Sequence, residues 1–422
     1  MPSTPSVRRV SVIGLGYIGL PTAAMFASRK IEVVGVDVNP HTVETINRGE
    51  IHIIEPDLDI VVQSTVSQGY LRATTVPEPA EAFLIAVLTP FKGDNHEPDL
   101  SYIEAAAKAI APVLKAGDLV VLESTSPVGA TARMAEWLAG ARPDLTFPQD
   151  AGEASDIRIA YCPERVLPGK VMQELVSNDR IIGGITRRCS REAALLYKIF
   201  VSGDCISASS PEVAEMAKLT ENSFRDVNIA FANELSLISD ELGLDVWELI
   251  SLTNRHPRVK ILQPGPGVGG HCIAVDPWFI VSRTPKLARL IRVAREVNDG
   301  KPDWVIEKLR CAIASILQAE PKRSASAITI ALYGIAFKPD IDDLRSSPAL
   351  EIAKRLANNH PGRIMIVEPN INTLPDELRS AELTSFEGAS GADIHLMLVD
   401  HNQFKGRKAP EGVIVDTRGI WR

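Results

Sequence analysis

The stretch Gly14-Leu15-Gly16-Tyr17-Ile18-Gly19 constrains the fold of this chain more than any other. It follows the β-branched run VSVIG and opens the apolar segment LPTAAMFASR. A second run, EVVGVDV, then carries Asp37, 18 residues after Gly19. G-x-G-x-x-G between a strand and a helix, with an acid closing the next strand, is the order of a βαβ unit that binds a dinucleotide. The glycines let the backbone approach a pyrophosphate, and the helix N-terminus stabilises its charge. Tyr17 and Ile18 belong to the same turn. Asp37 is expected to accept hydrogen bonds from ribose hydroxyls and to repel a 2′-phosphate, so the expected cofactor is NAD. Thr89 and Thr125 lie at the ends of later strands, where a doubly wound sheet places its ligand. Helix capping is the alternative use of either hydroxyl.

Further short runs (FLIAVLT, DLVVLEST, DIRIAYCP, RIIGG) alternate with helical stretches, which predicts a parallel α/β sheet. The rhythm changes at Pro211. From there to Gly243, Val213, Met216, Leu219, Phe224, Val227, Phe231, Leu235 and Ile238 recur at helical spacing. This predicts one long helix, capped by Ser209 or Ser210 and stopped by Gly243. Its apolar positions exceed one narrow stripe, so it is expected to be covered on more than one side, as in a homodimer. More helix extends to about Ala319, and EPKRSASA (320–327) reads as a linker. AITIALYGIAF, RIMIVEP, DIHLMLVD and GVIVDTRG then form a second α/β pattern, a distant echo of the first.

Charge and hydropathy exclude several classes. Lys plus Arg total 45 against 53 Asp plus Glu, a net charge of −8 with no basic run. That argues against nucleic-acid and anionic-membrane partners. No apolar run approaches a membrane span, and the first, Val10 to Leu20, carries three glycines and does not read as a signal peptide. The five cysteines include no CxxC pair, as expected for reduced thiols in a cytoplasm.

The chemistry concentrates in a few places. PGPGVGGHC sets Cys272 after a run of Gly and Pro, with Asp276 four residues on. A thiolate beside backbone amides is a competent nucleophile, and a small buried hydrophobe is the other reading of such a cysteine. Lys218 and Asn222 are one turn apart on the long helix, with Arg225 further along it. Lys218, flanked by Met216 and Leu219, is either a partly desolvated base or part of a solvated helix face. Glu164, in CPER, follows a strand and can line a pocket. Arg255, His256 and Arg258 form a basic cluster suited to a diphosphate or sugar, or a surface turn. His271 has no partners at metal-ligand spacing beyond Cys272, so no metal site is expected.

GxGYxGLP, TP, STSPVG, CPER, KLTENSFRDVN, PGPGVGGHC with Asp276, and FKPDIDDLR, in this order, resemble the UDP-glucose/GDP-mannose dehydrogenases. The resemblance covers residues 8–422. It implies two Rossmann-like doubly wound domains joined by a mostly helical one: an NAD-binding domain at 1–210, a dimerisation domain at 211–322, and a UDP-sugar-binding domain at 323–422. It also implies oxidation of a sugar C6 alcohol to a carboxylate with two NAD⁺. PERVLPGK, NRHPRV and HCIAVDPWFIV are most similar to members acting on UDP-N-acetyl-D-mannosamine, with UDP-N-acetyl-D-glucosamine the alternative. Such an activity serves surface polysaccharides such as enterobacterial common antigen.

By position, the resemblance makes Cys272 the nucleophile, Lys218 and Asn222 catalytic, and Asp276, with Glu164, the acids assisting water. It places Arg165, Val166, Arg225, His256, Arg258, Gly269, Phe337, Lys338 and Arg418 against the sugar nucleotide, and Arg345 against the cofactor. Where UDP-glucose dehydrogenases carry a second Glu, this chain has Pro168, which implies a different sugar pocket. A two-electron β-hydroxyacid-type dehydrogenase would leave Cys272 and the C-terminal α/β unit without use. An NAD-binding sensor would leave Lys218, Asn222, Cys272 and Asp276 without a role.

Overall fold

A computed structural model describes residues 7–93, 95–167, 169–270 and 272–421. The chain divides into two units, 1–221 and 222–422. Pro168 and His271 lie outside the described residues.

In the first unit the strands are β1 (Arg9–Ile13), β2 (Glu32–Val36), β3 (Leu71–Thr74), β4 (Ala82–Ile85), the hairpin β5 (Phe91–Lys92) and β6 (Glu97–Pro98), β7 (Leu119–Leu122), β8 (Arg158–Tyr161), β9 (Arg180–Gly184) and β10 (Cys205–Ser207). The helices are α1 (Gly19–Ser28), α2 (Pro40–Asn47), α3 (Leu58–Ser67), α4 (Ser101–Ile110), α5 (Ala130–Ala141), α6 (Pro148–Ala151), α7 (Val171–Ser177) and α8 (Arg187–Tyr197). Eight strands form one sheet in the order β10-β9-β8-β7-β4-β1-β2-β3. The order reverses between β1 and β4, which makes their C-terminal ends the ligand crevice of a doubly wound fold. Both faces are covered, one by α1, α3, α7 and α8 around Val10, Val12 and Phe26, the other by α4 and α5 around Phe83, Val120 and Met134. Strands buried on both sides read as continuous apolar runs, which is why they were legible.

One pair departs from the parallel pattern: β8 and β9 run antiparallel. Residues 162–179, with the seven-residue α7 among them, join the two strands.

The long helix α9 spans Pro211–Glu241. The Ser210 hydroxyl accepts from the Val213 N–H at 3.4 Å. At the other end Gly243 adopts φ +66°, and Leu244 N–H donates to Ser239 O at 2.8 Å. A left-handed residue followed by such a bond closes a helix. The second unit adds α10 (Val246–Thr253), α11 (Asp276–Arg283), α12 (Arg289–Ala319) and α13 (Pro348–Asn359). Its strands β11 (Ile330–Tyr333), β12 (Ile364–Val367), β13 (Glu382–Leu383), β14 (Ile394–Met397) and β15 (Val413–Asp416) form a parallel sheet ordered β13-β12-β11-β14-β15. The α12 and α13 side packs around Leu332 and Ile366, and Trp421 and Phe404 fill the other face around Tyr333. Among the described residues no helix is long and apolar enough to cross a membrane.

The expected echo is close in geometry. Gly14 after β1 has φ +90° and donates to Val36 O at 2.8 Å; Gly334 after β11 has φ +81° and donates to Val367 O at 2.9 Å.

Candidate active site

The glycine turn of the first unit is shaped for a pyrophosphate. A Cβ on Gly19 would lie 1.8 Å from Gly14 O, and one on Gly14 would lie 2.6 Å from Ala86 O. Gly16 is exposed, and a Cβ there would meet nothing within 4 Å. Two glycines thus serve close packing, and the middle one leaves room for ligand. Tyr17 and Ile18 are half-buried beside it, and no side chain caps the N-terminus of α1. The half-buried Asp37 accepts from Leu15 N–H at 3.0 Å and from Asn39 N–H at 2.9 Å, which fixes it at the end of β2. The Thr89 hydroxyl is buried without a partner among the described residues, and Thr125 is half-buried beyond β7. This donor set fits NAD.

Glu164 is buried beyond β8, where it accepts from Arg165 N–H at 2.7 Å and from Arg180 Nη1 at 2.5 Å. Glu123, at the end of β7, lies 4.0 Å from the same Nη1 and accepts from the Tyr197 hydroxyl at 3.1 Å. Burial pushes the Glu123 carboxyl up to about 8, against the pull of Arg180. The buried Cys162 thiol is also pushed up by desolvation. Neither Glu123 nor Arg180 was expected; each reads in the sequence as the polar edge of a strand. Arg165 pairs through two nitrogens with Glu221 on α9, at 3.1 and 2.7 Å. Val166 is half-buried, and Lys218 is buried rather than solvated.

The second unit gathers the rest of the set. Asn222 Nδ2 donates to Asp276 Oδ2 at 2.5 Å, and Asp276, the first residue of α11, is 3% exposed. Asp276 N–H donates to Cys272 O at 2.8 Å. Cys272 is exposed, which removes the buried-hydrophobe reading. The glycine-rich loop before it packs on the segment after β11. A Cβ on Gly269 would lie 2.5 Å from Ser346 O and 3.1 Å from Phe337 Cβ, and one on Gly270 would lie 3.0 Å from the Phe337 ring. Arg418 donates to Pro264 O at 3.1 Å and to Asp400 at 2.7 Å, so the C-terminal segment is tied to the same loop. Asn222, Gly269, Cys272, Asp276, Phe337 and Arg418 are linked in this way. Lys338 follows Phe337, half-buried. Arg345 is exposed and pairs with Asp343 at 2.9 and 2.6 Å. Arg225, on α9, and Arg255, His256 and Arg258, after α10, are exposed, and among the described residues none of their side chains hydrogen-bonds to that cluster. Among the described residues no cluster of His, Cys, Asp and Glu could hold a metal.

Three family models match successive stretches: the UDP-glucose/GDP-mannose dehydrogenase family's NAD binding domain at 8–201, its central domain at 212–300, and its UDP binding domain at 331–422. A UDP-N-acetyl-D-mannosamine dehydrogenase of Yersinia pestis is 66% identical, covering 99% of this chain and 100% of that one. An NDP-N-acetyl-D-galactosaminuronic acid dehydrogenase of Ralstonia nicotianae is 62% identical, covering 98% and 96%. The solved UDP-D-ManNAc dehydrogenase of Pyrococcus horikoshii superposes with a TM-score of 0.86 at 38% identity, covering 98% and 96%. With an NAD-shaped glycine turn in one unit and a cysteine–carboxylate cluster in the other, the chain belongs to the UDP-glucose/GDP-mannose dehydrogenase family of NAD-dependent oxidoreductases.

Proposed function

We propose that this chain oxidises C6 of UDP-N-acetyl-D-mannosamine to the uronate, consuming two NAD⁺ and one water. The observation that carries the reading is the linked set of Asn222, Asp276 and Cys272, with Asp276 anchored by its amide to the cysteine's own carbonyl. The 66% identity to the Yersinia pestis enzyme supports the mannosamine substrate. A galactosamine-configured sugar is the second reading, favoured by the 62% identity to the Ralstonia enzyme.

Bound NAD⁺ supplies the hydride acceptor for both oxidations. Buried Lys218 accepts the C6 hydroxyl proton or steadies oxyanion charge. Cys272 sulfur adds to the aldehyde carbon, whose oxygen takes up a proton, giving a thiohemiacetal. Loss of hydride and the hydroxyl proton leaves a thioester. Water then attacks its carbonyl, the C–S bond breaks, and the thiol and uronic acid are released. Asp276 and Glu164 assist that water, and Asn222 orients Asp276. The domains act as NAD-binding (1–210), dimerising (211–322) and UDP-sugar-binding (323–422). Arg165, Val166, Arg225, His256, Arg258, Gly269, Phe337, Lys338 and Arg418 contact the sugar nucleotide, and Arg345 the cofactor.

The working form is a homodimer built on α9. Phe224, Phe231 and Ile238 recur every seven residues and stand 69%, 52% and 47% exposed, an unpartnered apolar seam that supports this reading. A thiol nucleophile and a demand for NAD⁺ suit the cytoplasm, where the uronate feeds surface polysaccharide synthesis. The test is NADH yield per sugar over a panel of UDP-N-acetylhexosamines. Two NADH per UDP-N-acetyl-D-mannosamine, with lower kcat/KM for its gluco and galacto counterparts, is the expected outcome. One NADH with free aldehyde released refutes the four-electron course.

A further inference from the structure

Glu368 closes β12 as Asp37 closes β2, and each accepts from the backbone that follows the matching glycine. Leu15 N–H reaches Asp37, whereas Ile335 and Ala336 N–H reach Glu368 Oε2 at 2.8 and 3.1 Å. The surroundings then diverge. Asp37 is half-buried at a glycine turn with open space, but Glu368 is 3% exposed and the position matching Gly16 is Ala336. Fully buried His401, directly after Asp400, completes the difference. Its Nδ1 accepts from Asp340 N–H at 2.9 Å, and a backbone N–H can only donate. The ring proton therefore sits on Nε2, which donates to Glu368 Oε2 at 3.1 Å. Asn370 donates to Glu368 Oε1 through its backbone and side-chain nitrogens, both at 3.2 Å, and its Nδ2 also reaches His401 Nδ1 at 3.0 Å.

We propose that Glu368 and His401 are positioning residues of the sugar-nucleotide site, bracing segment 335–340 at both ends so that Phe337 and Lys338 are presented in one geometry. The acid that would hold a ribose in a dinucleotide fold has become an internal brace. Burial pushes the Glu368 carboxyl up, and the His401, Ile335 and Asn370 donors outweigh it, holding the group ionised below its usual value. The adjacent Asp400 pins Arg418, so two consecutive residues beyond β14 bear on three of the expected contacts. The inference rests on Phe337 and Lys338 contacting the nucleotide.

Calorimetric titration of the full chain with UDP alone, and separately with NAD⁺, tests it. Lys338→Ala and His401→Ala are each expected to weaken UDP about tenfold, with NAD⁺ affinity unchanged. The double variant should lose less than the sum, because His401 acts through the segment that carries Lys338. His401→Asn keeps an acceptor where Nδ1 stands and should restore UDP binding, whereas His401→Gln should not. Wild-type UDP affinity in His401→Ala, or losses that simply add, overturns the brace. Should His401→Ala fail to fold, equal UDP affinity in the Asn and Gln variants overturns it instead. If Lys338→Ala binds UDP as wild type does, the contact assignment fails, a separate result.

Discussion

Replacing Arg180 by Met removes the cation that lies against two buried carboxylates, Glu164 and Glu123. The Arg180 side chain is 2% exposed, lies 2.5 Å from Glu164 and 4.0 Å from Glu123, and stacks 5.0 Å from the Tyr197 ring centre. Methionine fills much of the volume, so the main loss is electrostatic. Breaking a buried pair by deleting one partner costs about 3–5 kcal/mol. A unit of this size shifts by roughly 2–4 °C per kcal/mol, so its melting transition should fall on the order of 10 °C. The deficit carries a sign in pH. Without its cation, Glu164 prefers to be neutral in the fold, so the folded variant binds a proton that the unfolded chain has released. Stability of Arg180→Met therefore falls as pH rises above the ordinary carboxylate range, and the gap to wild type should narrow at pH 5 relative to pH 7.5. Adding Glu164→Gln should recover most of the loss. Differential scanning calorimetry of the full chain at both pH values is the assay. A loss under about 1 kcal/mol, or one equal at both pH values, would show that water already reaches the pair and would refute the reasoning.

The same network gives wild type its own pH dependence. Because Glu123 is pushed from 4.5 up to about 8, the folded state keeps a proton that the unfolded chain loses, so stability should decline from pH 5 to pH 8; Glu123→Gln should flatten that slope in the same calorimeter. Cys272→Ser should cut uronate formation about 1,000-fold or more, since an alcohol captures the aldehyde poorly, while UDP-sugar affinity holds. Uronate formation near the wild-type rate would end the covalent route. Phe231→Glu should turn a sedimenting dimer into a monomer, and a wild type already monomeric and fully active at micromolar concentration would remove the seam's meaning.

The parts legible from sequence are those whose determinants are local. Gly14, Gly16 and Gly19 announce a turn because only glycine tolerates the approach of Gly14 O to position 19. The 211–241 helix shows its period, its Ser210 cap and its Gly243 stop within one window. β3, with the sequence LRAT, and β10, with CIS, escaped notice because each is short and shows no apolar run. Arg180 and Glu123 are 57 positions apart, and His401 and Glu368 are 33 apart. Nothing in a local window says that such groups meet, since the pairing follows from sheet order. Their shared mark is position: each stands at or a few residues beyond a strand end, where an apolar run gives way to polar residues.

Both sheets are open, and their margins are brief. In the first unit the outermost strands are β10, three residues long, and β3, four; in the second they are β13, two, and β15, four. An unpaired strand is a template on which another molecule can add its own backbone, and the hazard grows with length and flatness. Margins of two to four residues offer few main-chain donors in register, so copies of the protein meeting edge to edge gain little. Resistance to cross-molecule strand addition is thus built into where the strands stop. Lengthening β13 or β10 with β-branched residues should make these sheets prone to aggregate without altering a single group at the chemical site.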